Sequence, residues 1–313
     1  MNTEMNILSG SSNRPLAEEI ARYLGTSLAE VELKKFKDGE ISTKIGENVR
    51  EVDLFIIQST CNPANDHLLE LLLLIDAAYR ASAKRITAVM PYYGYARQDR
   101  KVEPRVPISA KVVANVLQAV GVKRILTMEL HSDQIQGFFD IPVDNLIATP
   151  IVIEYLNRLK INDPMVVSPD TGGVVRARFL GKKLNAGLAI IDKRRPEPNV
   201  SQVMNVIGDG KGKNCRLVDD MIDTAGSISS AAMALKESGA KDVYCVSTHA
   251  VLSEDAAEKL MKAGFKEIVV TNTIPCTEKC RNCKKIVFLS VAEILGETIK
   301  RIYDSHSVST LFV

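Results

Sequence analysis

The most informative stretch of this sequence reads Cys215-Arg216-Leu217-Val218-Asp219-Asp220-Met221-Ile222-Asp223-Thr224-Ala225-Gly226-Ser227. Its apolar first half predicts a buried strand, which leads through a tight loop into a helical pattern from Ile228. Open α/β sheets place ligands at the carboxyl ends of their strands, where Asp219 and Asp220 can accept hydrogen bonds from a sugar diol. The small residues from Thr224 to Ser227 can surround a phosphate at a helix amino terminus. The stretch therefore predicts a pocket for a phosphorylated ribose.

A simpler interpretation of the same residues is an acidic strand end followed by an ordinary Thr or Ser helix cap. The chain contains no Gly-x-x-x-x-Gly-Lys-Ser/Thr pattern, so the loop lacks the lysine of a nucleoside-triphosphate P-loop. If the loop binds a phosphate, a monophosphate is the better match.

The rest of the chain shows the same alternation of strand and helix patterns. Short apolar, β-branched runs alternate with longer helical patterns, as in Asp53 to Gln58, Asp66 to Arg80 and Arg85 to Met90. This alternation predicts an α/β fold with parallel sheets. At 313 residues the chain suits two domains of about 150 residues each, and we expect them to be residues 1–147 and 148–313.

The two halves contain a similar unit. Ser109 opens a helical run that stops at Gly121 and is followed by a strand pattern ending on His131. Ser227, Gly239 and His249 repeat these features with the same spacings. Matched spacing at both ends predicts duplicated domains, each a mostly parallel sheet flanked by helices.

Charge and composition exclude several classes of protein. Lys and Arg exceed Asp and Glu by two (40 against 38), which argues against a duplex nucleic-acid partner. The amino-terminal residues lack a secretory pattern, and the most apolar run is interrupted by Glu70 and Asp76, which argues against a membrane span. Six cysteines are too few for a disulfide scaffold, so we expect a cytoplasmic protein.

The acidic stretch resembles the ribose-phosphate signature of the phosphoribosyltransferase family. Five further segments, in order along essentially the whole chain, resemble more narrowly the phosphoribosyl pyrophosphate synthetase family. They are Phe36-Lys37-Asp38-Gly39-Glu40, Tyr95 to Lys101, Leu130 to Phe139, Ser168-Pro169-Asp170-Thr171-Gly172-Gly173 and Asp192-Lys193-Arg194-Arg195-Pro196. The resemblance implies two duplicated type I phosphoribosyltransferase-like domains. It also implies transfer of the pyrophosphoryl group of ATP to the anomeric hydroxyl of ribose 5-phosphate.

The resemblance assigns ATP binding to two segments. The residues concerned are Phe36, Asp38, Gly39, Glu40, Arg97 and Gln98. An aromatic face can stack on a purine, and the carboxylates can accept hydrogen bonds from an amino group or ribose hydroxyls. Spacing alone would favour a polar hairpin turn for residues 37–40.

Residues 92–106 combine three tyrosines and four cations with no clear apolar period, which predicts an exposed, mobile loop. Such a loop could cover the triphosphate and exclude water, and a solvated basic loop is the alternative. Glu103 stands where relatives often carry a cation or a neutral residue, so loop closure can differ here.

Lys193 and Arg195 follow a strand pattern from Leu188 to Asp192, so we expect them in a loop above the cleft. By resemblance, Lys193 is catalytic and Arg195 contacts the sugar phosphate or the transferring group. A point cation and a planar fork suit a charged transition state at phosphorus, although a solvated run of cations is the alternative. The ribose 5-phosphate residues that the resemblance implies are Arg195, Asp219, Asp220, Asp223, Thr224, Ala225, Gly226 and Ser227. It assigns His131 and Asp170 to magnesium, whereas chemistry alone suggests a hydrogen-bonded histidine at position 131.

The carboxyl-terminal segment resembles the part of the family that forms a regulatory site between subunits. The resemblance implies that Arg50, Ser82, Ser307 and Ser309 bind ADP or phosphate, and that the chain assembles as a homohexamer. A terminal strand completing a sheet is the alternative. Asn48 stands where relatives often have serine, so regulation can differ.

Cys276, Cys280 and Cys283 form a cluster whose spacing approaches that of zinc ligands. Only three thiols are present and no histidine is nearby, so the alternative is an exposed, redox-sensitive loop.

Two other functions remain open for this scaffold. A phosphoribosyltransferase would consume phosphoribosyl pyrophosphate, but the segment at Phe36 and the duplication argue against it. A non-catalytic regulatory subunit should have lost site residues, whereas Lys193, Arg195, His131 and Asp170 are all present.

Overall fold

The computed structural model describes residues 4–194 and 203–311, apart from the side chains of residues 193, 194, 203, 204 and 279. The chain divides into two compact units. The first comprises Met1–Ile147, Thr273–Pro275 and Ser290–Val313, and the second comprises Ala148–Asn272 and Cys276–Leu289.

The first unit is built on a parallel sheet. Its elements are β1 (Met5–Ser9), α1 (Arg14–Tyr23), β2 (Val31–Lys35), β3 (Ile41–Ile45), β4 (Asp53–Ile57), α2 (Ala64–Arg80), β5 (Arg85–Met90), α3 (Ser109–Ala119), β6 (Arg124–Met128), β7 (Val143–Leu146) and α9 (Ala292–Tyr303). Five strands pair in the order β1-β4-β5-β6-β7, all parallel, and β2 and β3 form a separate antiparallel hairpin. All five residues of β4 are buried, as expected for a central strand covered on both faces.

The second unit contains a larger sheet. Its elements are α4 (Thr149–Arg158), β8 (Pro164–Ser168), α5 (Val174–Lys183), β9 (Gly187–Arg194), β10 (Val203–Ile207), β11 (Asn214–Ile222), α6 (Gly226–Glu237), β12 (Asp242–Ala250), α7 (Ala256–Lys262), β13 (Glu267–Thr271), α8 (Glu278–Arg281) and β14 (Ile286–Leu289). The strand order is β10-β9-β8-β11-β12-β13-β14, and β10 is antiparallel to β9 while the other pairs are parallel. The predicted α/β class with two mostly parallel sheets is confirmed.

The last helix lies in the first unit, whereas the sequence-based division placed all residues from 148 to 313 together. Packing of α9 against α1 explains the difference. The Tyr23 hydroxyl donates to Glu297 Oε2 at 3.1 Å, and the Tyr23 ring lies over Gly296, where an added Cβ would be 2.5 Å from it. The periodicity of a sequence can predict an amphipathic helix, but it does not show which surface that helix will cover.

Both predicted helix, glycine and strand units are present. Gly121 ends α3 with φ 107° and Gly239 ends α6 with φ 88°, conformations that favour glycine because it has no Cβ. The two histidines, however, occupy different environments. His249 is inside β12 and 2% exposed, whereas His131 is exposed and follows the end of β6 by three residues.

The segment 92–106 is only partly the exposed loop that its composition predicts. Tyr92 and Tyr93 are buried, and the Tyr93 hydroxyl donates to the Ala110 carbonyl at 2.9 Å. The Gly94 amide donates to Thr60 Oγ1 at 2.6 Å. The first half is therefore anchored to the core, and most of the residues from Arg97 to Arg105 are exposed.

Gly94 should tolerate no side chain. A Cβ at this position would be 2.4 Å from the Thr60 carbonyl oxygen, and backbone atoms cannot yield as a flexible side chain can. We expect Gly94→Ala to lower the free energy of unfolding by about 2 kcal/mol, measured by urea denaturation. Gly137→Ala is the matched control, because no atom lies within 4 Å of the added methyl. Equal stability of the two variants would contradict this packing.

Candidate active site

The acidic stretch lies at a topological switch point of the second sheet. β8 has β9 on one side and β11 on the other, so the connections that follow β8 and β11 leave in different directions. A crevice forms at such a point, outside the carboxyl ends of the strands. Asp219 and Asp220 are near the carboxyl end of β11, and Asp170 follows β8 by two residues. Three carboxylates are thus brought to one edge of this sheet.

Asp219 and Asp220 form a close acidic pair. Asp220 is 4% exposed, and its amide donates to Asp219 Oδ1 at 2.9 Å. Burial, followed by the neighbouring charge of Asp220, raises the pKa of Asp219 to about 7. The Arg176 guanidinium on α5 opposes this shift, with Nη1 at 3.6 Å from Asp220 Oδ1 and 3.9 Å from Asp219 Oδ1. Carboxylates in this state favour a ligand that donates hydrogen bonds.

The loop after β11 has the geometry of an anion site. Ala225 adopts φ 60° in the left-handed region and precedes α6, which begins at Gly226, two residues earlier than predicted. No described side chain caps the amino terminus of α6. Thr224 and Ser227 are exposed. Amide hydrogens and hydroxyls near a helix amino terminus, where the helix dipole is positive, can bind phosphate oxygens.

Asp223 is fixed by the segment after β12. Its Oδ1 accepts a hydrogen bond from the Ser253 hydroxyl, and its backbone carbonyl accepts one from the Ser253 amide at 3.2 Å. Asp223 is half-buried, so the carboxylate is oriented while remaining accessible.

The loop after β8 is a second tight turn at this edge. Asp170 is exposed, and its Oδ1 accepts a hydrogen bond from the Gly173 amide at 3.0 Å. The Ser168 hydroxyl donates to the Asp170 carbonyl at 2.7 Å. A Cβ on Gly173 would be 2.9 Å from Ser168 Oγ, so a side chain there would force the buried Ser168 hydroxyl to move.

Lys193 is inside a strand and not in a loop as its sequence context predicts. β9 continues through Arg194 because it pairs antiparallel with β10, and Lys193 faces Met204 in the register. Since β9 neighbours β8, this part of the chain belongs to the same sheet. Arg195 lies outside the described residues.

Residues 36–40 form the turn of the β2–β3 hairpin. The Phe36 amide donates to the Glu40 carbonyl at 2.8 Å, and Gly39 has φ 96°. The Glu40 amide donates to Asp38 Oδ1 at 3.1 Å. The Phe36 ring is 57% exposed at this tip. The hairpin interpretation is therefore right about the backbone, and it leaves an aromatic face available for a ligand.

Gln98 connects the exposed half of residues 92–106 to α3. Its side-chain oxygen accepts a hydrogen bond from Ser109 Oγ at 2.5 Å, and its carbonyl accepts one from the Ala110 amide at 3.2 Å. Arg97 is exposed beside it. His131 is also exposed, two residues before a 3₁₀ helix at Asp133–Phe138.

The predicted regulatory residues are grouped in two pairs. Arg50 Nη1 donates to the Ser82 hydroxyl at 3.4 Å, and Ser82 adopts φ 65°. Ser307 Oγ and Ser309 Oγ are 2.9 Å apart, in a tail fixed by a hydrogen bond from Arg301 to the Ser307 carbonyl.

The cysteine cluster does not form the metal site suggested by its spacing. Across residues 4–194 and 203–311, no three or more His, Cys, Asp or Glu side chains are gathered to hold a metal ion. The exposed-loop alternative is wrong for Cys280 and Cys283, each 3% exposed. Burial raises the pKa of the Cys276 thiol, which disfavours the thiolate needed for metal binding.

Two site residues were missed by sequence reasoning. Arg176 pairs with the acidic residues of β11, and Ser253 holds Asp223. Arg176 is three residues after Gly173. A cation one helical turn beyond a glycine-rich loop is a sequence feature that could have indicated a residue of this site. No feature of the neighbouring sequence indicates that Ser253 is a site residue, because Ser253 reaches Asp223 through the pairing of β12 with β11.

Two family models match this chain. The N-terminal domain of ribose phosphate pyrophosphokinase matches residues 5–121, and the phosphoribosyl synthetase-associated domain matches residues 190–313. Ribose-phosphate pyrophosphokinase of Burkholderia pseudomallei is 54% identical over 98% of this chain and 96% of its own length. The Nostoc sp. protein of the same name is 53% identical over 99% of this chain and 94% of its own length.

A solved structure extends the likeness to the fold. Phosphoribosylpyrophosphate synthetase from Mycobacterium smegmatis superposes with a TM-score of 0.92 at 42% identity, covering 97% of this chain and all of that one. None of the described helices is long and apolar enough to cross a membrane. With more than half of its residues identical to relatives over nearly its full length, the chain belongs to the ribose-phosphate pyrophosphokinase family.

Proposed function

We propose that this chain transfers the pyrophosphoryl group of ATP to the anomeric hydroxyl of ribose 5-phosphate, which yields 5-phosphoribosyl 1-pyrophosphate and AMP for nucleotide biosynthesis. The observation that carries the proposal is the acidic pair Asp219 and Asp220, followed by a small-residue loop at the amino terminus of α6. The family membership of the chain narrows this ribose-phosphate site to one reaction.

The pocket at β11 fits the sugar substrate. Asp219 and Asp220 would accept hydrogen bonds from ribose hydroxyls, which offset the burial and the neighbouring charge that raise the pKa of Asp219. The 5-phosphate would bind along residues Thr224 to Ser227, with Asp223 at the edge of the sugar. The absence of a P-loop lysine from this loop suits a monophosphate.

The nucleotide would bind in the first unit. Phe36 would stack on the purine, and Asp38 and Glu40 would accept hydrogen bonds from the adenosine. Arg97 and Gln98 extend the contact, and the exposed cations that follow would cover the phosphates and exclude water.

The chemical step is an attack by the anomeric oxygen on the β-phosphorus of ATP. A new oxygen–phosphorus bond forms, the bond from the β-phosphorus to the bridging oxygen breaks, AMP leaves, and the hydroxyl proton is lost. Lys193 and Arg195 would offset the charge that develops on the phosphoryl oxygens. Little covalent help is needed, because positioning and charge stabilisation supply most of the acceleration in phosphoryl transfer.

Magnesium fits the residues present. The cation prefers oxygen, keeps several waters, and is usually held by one or two carboxylates together with substrate phosphates. The exposed Asp170 carboxylate suits this role, and no three-ligand cluster is required. His131 would contact the ion or its water shell. Bound with the nucleotide, magnesium would neutralise part of the phosphate charge.

Regulation and assembly complete the proposal. ADP or phosphate would bind at Arg50, Ser82, Ser307 and Ser309, where hydroxyls and a guanidinium are exposed or half-buried. A homohexamer in the cytoplasm is the assembly and location that we infer from the family.

Product identification tests the function directly. Purified protein with ATP, ribose 5-phosphate and magnesium should form AMP and 5-phosphoribosyl 1-pyrophosphate in equal amounts, measured by anion-exchange chromatography. Formation of ADP, or no turnover, contradicts the proposal.

Lys193→Ala should lower kcat by roughly 100-fold or more with unchanged circular dichroism, because the lost cation acts on the transition state. Lys262→Ala, on the exposed end of α7, is the matched control.

Asp223→Asn should chiefly raise the KM for ribose 5-phosphate. The substitution keeps the shape and the hydrogen bond from Ser253 but removes the negative charge beside the sugar. We expect KM to rise by about tenfold or more with a smaller change in kcat, measured by steady-state kinetics. An unchanged KM in this variant removes Asp223 from the pocket. Asp255→Asn, an exposed carboxylate beside α7, should match the wild type.

The acidic pair should also affect stability in a pH-dependent way. The pKa of Asp219 in the folded protein, about 7, is above its ordinary value of 3.8. The folded state therefore retains the proton more tightly, and stability decreases as pH rises towards 7. Asp219→Asn removes this loss, so we expect it to raise the free energy of unfolding by on the order of 2 kcal/mol at pH 8.

Denaturant titrations at several pH values measure this effect. The advantage of Asp219→Asn should shrink as pH falls from 7 towards 4 and stay constant above pH 7, while catalysis is impaired at every pH. Asp255→Asn again serves as the control, since its ion pair with Lys259 lowers the pKa of Asp255. A destabilised Asp219→Asn at pH 8 would show that burial and the charge of Asp220 do not raise the free energy of the ionised Asp219 carboxylate.

A further inference from the structure

Ser253 makes two contacts with a residue of the proposed sugar pocket, although it lies outside the segments that resemble the family. Its hydroxyl donates to Asp223 Oδ1, and its amide donates to the Asp223 carbonyl at 3.2 Å. A single residue therefore holds both the backbone and the carboxylate of Asp223. The orientation of this carboxylate is set before any ligand binds.

The backbone at Ser253 leaves the strand conformation and turns towards β11. In an extended strand, successive amides point to opposite sides. The amides of Leu252 and Ser253 instead both donate to the end of β11, that of Leu252 to the Ile222 carbonyl at 2.9 Å and that of Ser253 to Asp223. Leu252 adopts φ 45° and Glu254 adopts φ 55°, which changes the direction of the chain on both sides of Ser253.

This conformation is unfavourable for the residues that adopt it. Leu252 and Glu254 are in the left-handed region, where a Cβ approaches the following carbonyl oxygen and glycine is normally preferred. The segment is nevertheless fixed, because the Ser253 carbonyl accepts a hydrogen bond from the Ala256 amide at 3.1 Å at the start of α7. Backbone strain of this kind concentrates where one particular geometry has a function.

We propose that Ser253 is a positioning residue for ribose 5-phosphate, which acts on the sugar through Asp223. The inference rests on the proposed function, in which Asp223 lies at the edge of the sugar. A carboxylate that is already held does not have to be ordered when the sugar binds, so affinity increases without a further contact to the ligand. The proposed nucleotide residues, such as Phe36, belong to the first unit, so the affinity for ATP should not depend on Ser253.

Calorimetric titration of ribose 5-phosphate into the full chain tests this role, with magnesium and a non-hydrolysable ATP analogue present. Ser253→Ala should weaken binding by about tenfold, because a hydrogen bond to a charged group is lost. Ser253→Thr keeps the hydroxyl and should remain within about twofold of the wild type. Ser238→Ala, which changes an exposed serine at the other end of α6, is the matched control. Equal affinity of Ser253→Ala and the wild type overturns the proposal.

A double-mutant cycle separates positioning from a purely structural role. Asp223→Ala leaves no carboxylate to position, so adding Ser253→Ala to it should change the affinity by less than about twofold. In steady-state kinetics, Ser253→Ala alone should raise the KM for ribose 5-phosphate and leave kcat and the KM for ATP nearly unchanged. Additive losses in the cycle, or an equal rise in both KM values, contradict the positioning role.

The inference and the proposed function fail in different ways. A wild type that does not bind ribose 5-phosphate overturns both of them. A wild type that binds the sugar as tightly as Ser253→Ala does overturns only the role of Ser253, and the proposed reaction stands. Far-UV circular dichroism of each variant shows that the comparison is between folded proteins.

Discussion

Two carboxylates held side by side at the end of a buried strand are the constraint on which the site depends. Asp219 and Asp220 are partly removed from water, with one guanidinium nearby, and the result is a pKa of about 7 for Asp219. This is an energetic cost in the empty protein. Folding tolerates it because β11 is fixed on both sides, by β8 and β12, and its other residues are largely buried. A hydroxyl-rich ligand converts the cost into binding, because its hydroxyls donate hydrogen bonds to the two carboxylates.

The strand order explains why these carboxylates meet a phosphate-binding loop and Asp170. At the junction of β8 and β11 the connections that follow the two strands diverge, and the residues after both strands gather there. Lys193 is on β9, the next strand along. Residues far apart in sequence, such as Asp170 and Asp223, therefore belong to one edge of one sheet. Ser253 joins them through β12, whose register sets where the following segment can reach.

Sequence reasoning succeeded where the signal was local. Alternating apolar runs and helical patterns predicted the α/β class, and the glycine stops at Gly121 and Gly239 matched left-handed backbone positions. It failed where tertiary contacts decide the outcome. The tyrosines at 92 and 93 resemble loop residues in composition, but Thr60 and Ala110 hold their segment in the core. The strand containing Lys193 continues because β10 pairs with it, and the thiols of Cys280 and Cys283 are buried by packing that spacing cannot report.

The same distinction applies to the role of each residue. The fold shows which side chains share one edge of the sheet, whereas the assignment of ATP to the hairpin at Phe36 depends on likeness to relatives. Arg216, in contrast, is outside the signature from Asp219 to Ser227 and outside the other segments that resemble the family. Its burial in β11 beside Val166 is what makes this charged residue unusual. Burying a guanidinium costs free energy unless other groups offset its desolvation, so the role of this position depends on its three-dimensional surroundings and not on its sequence context.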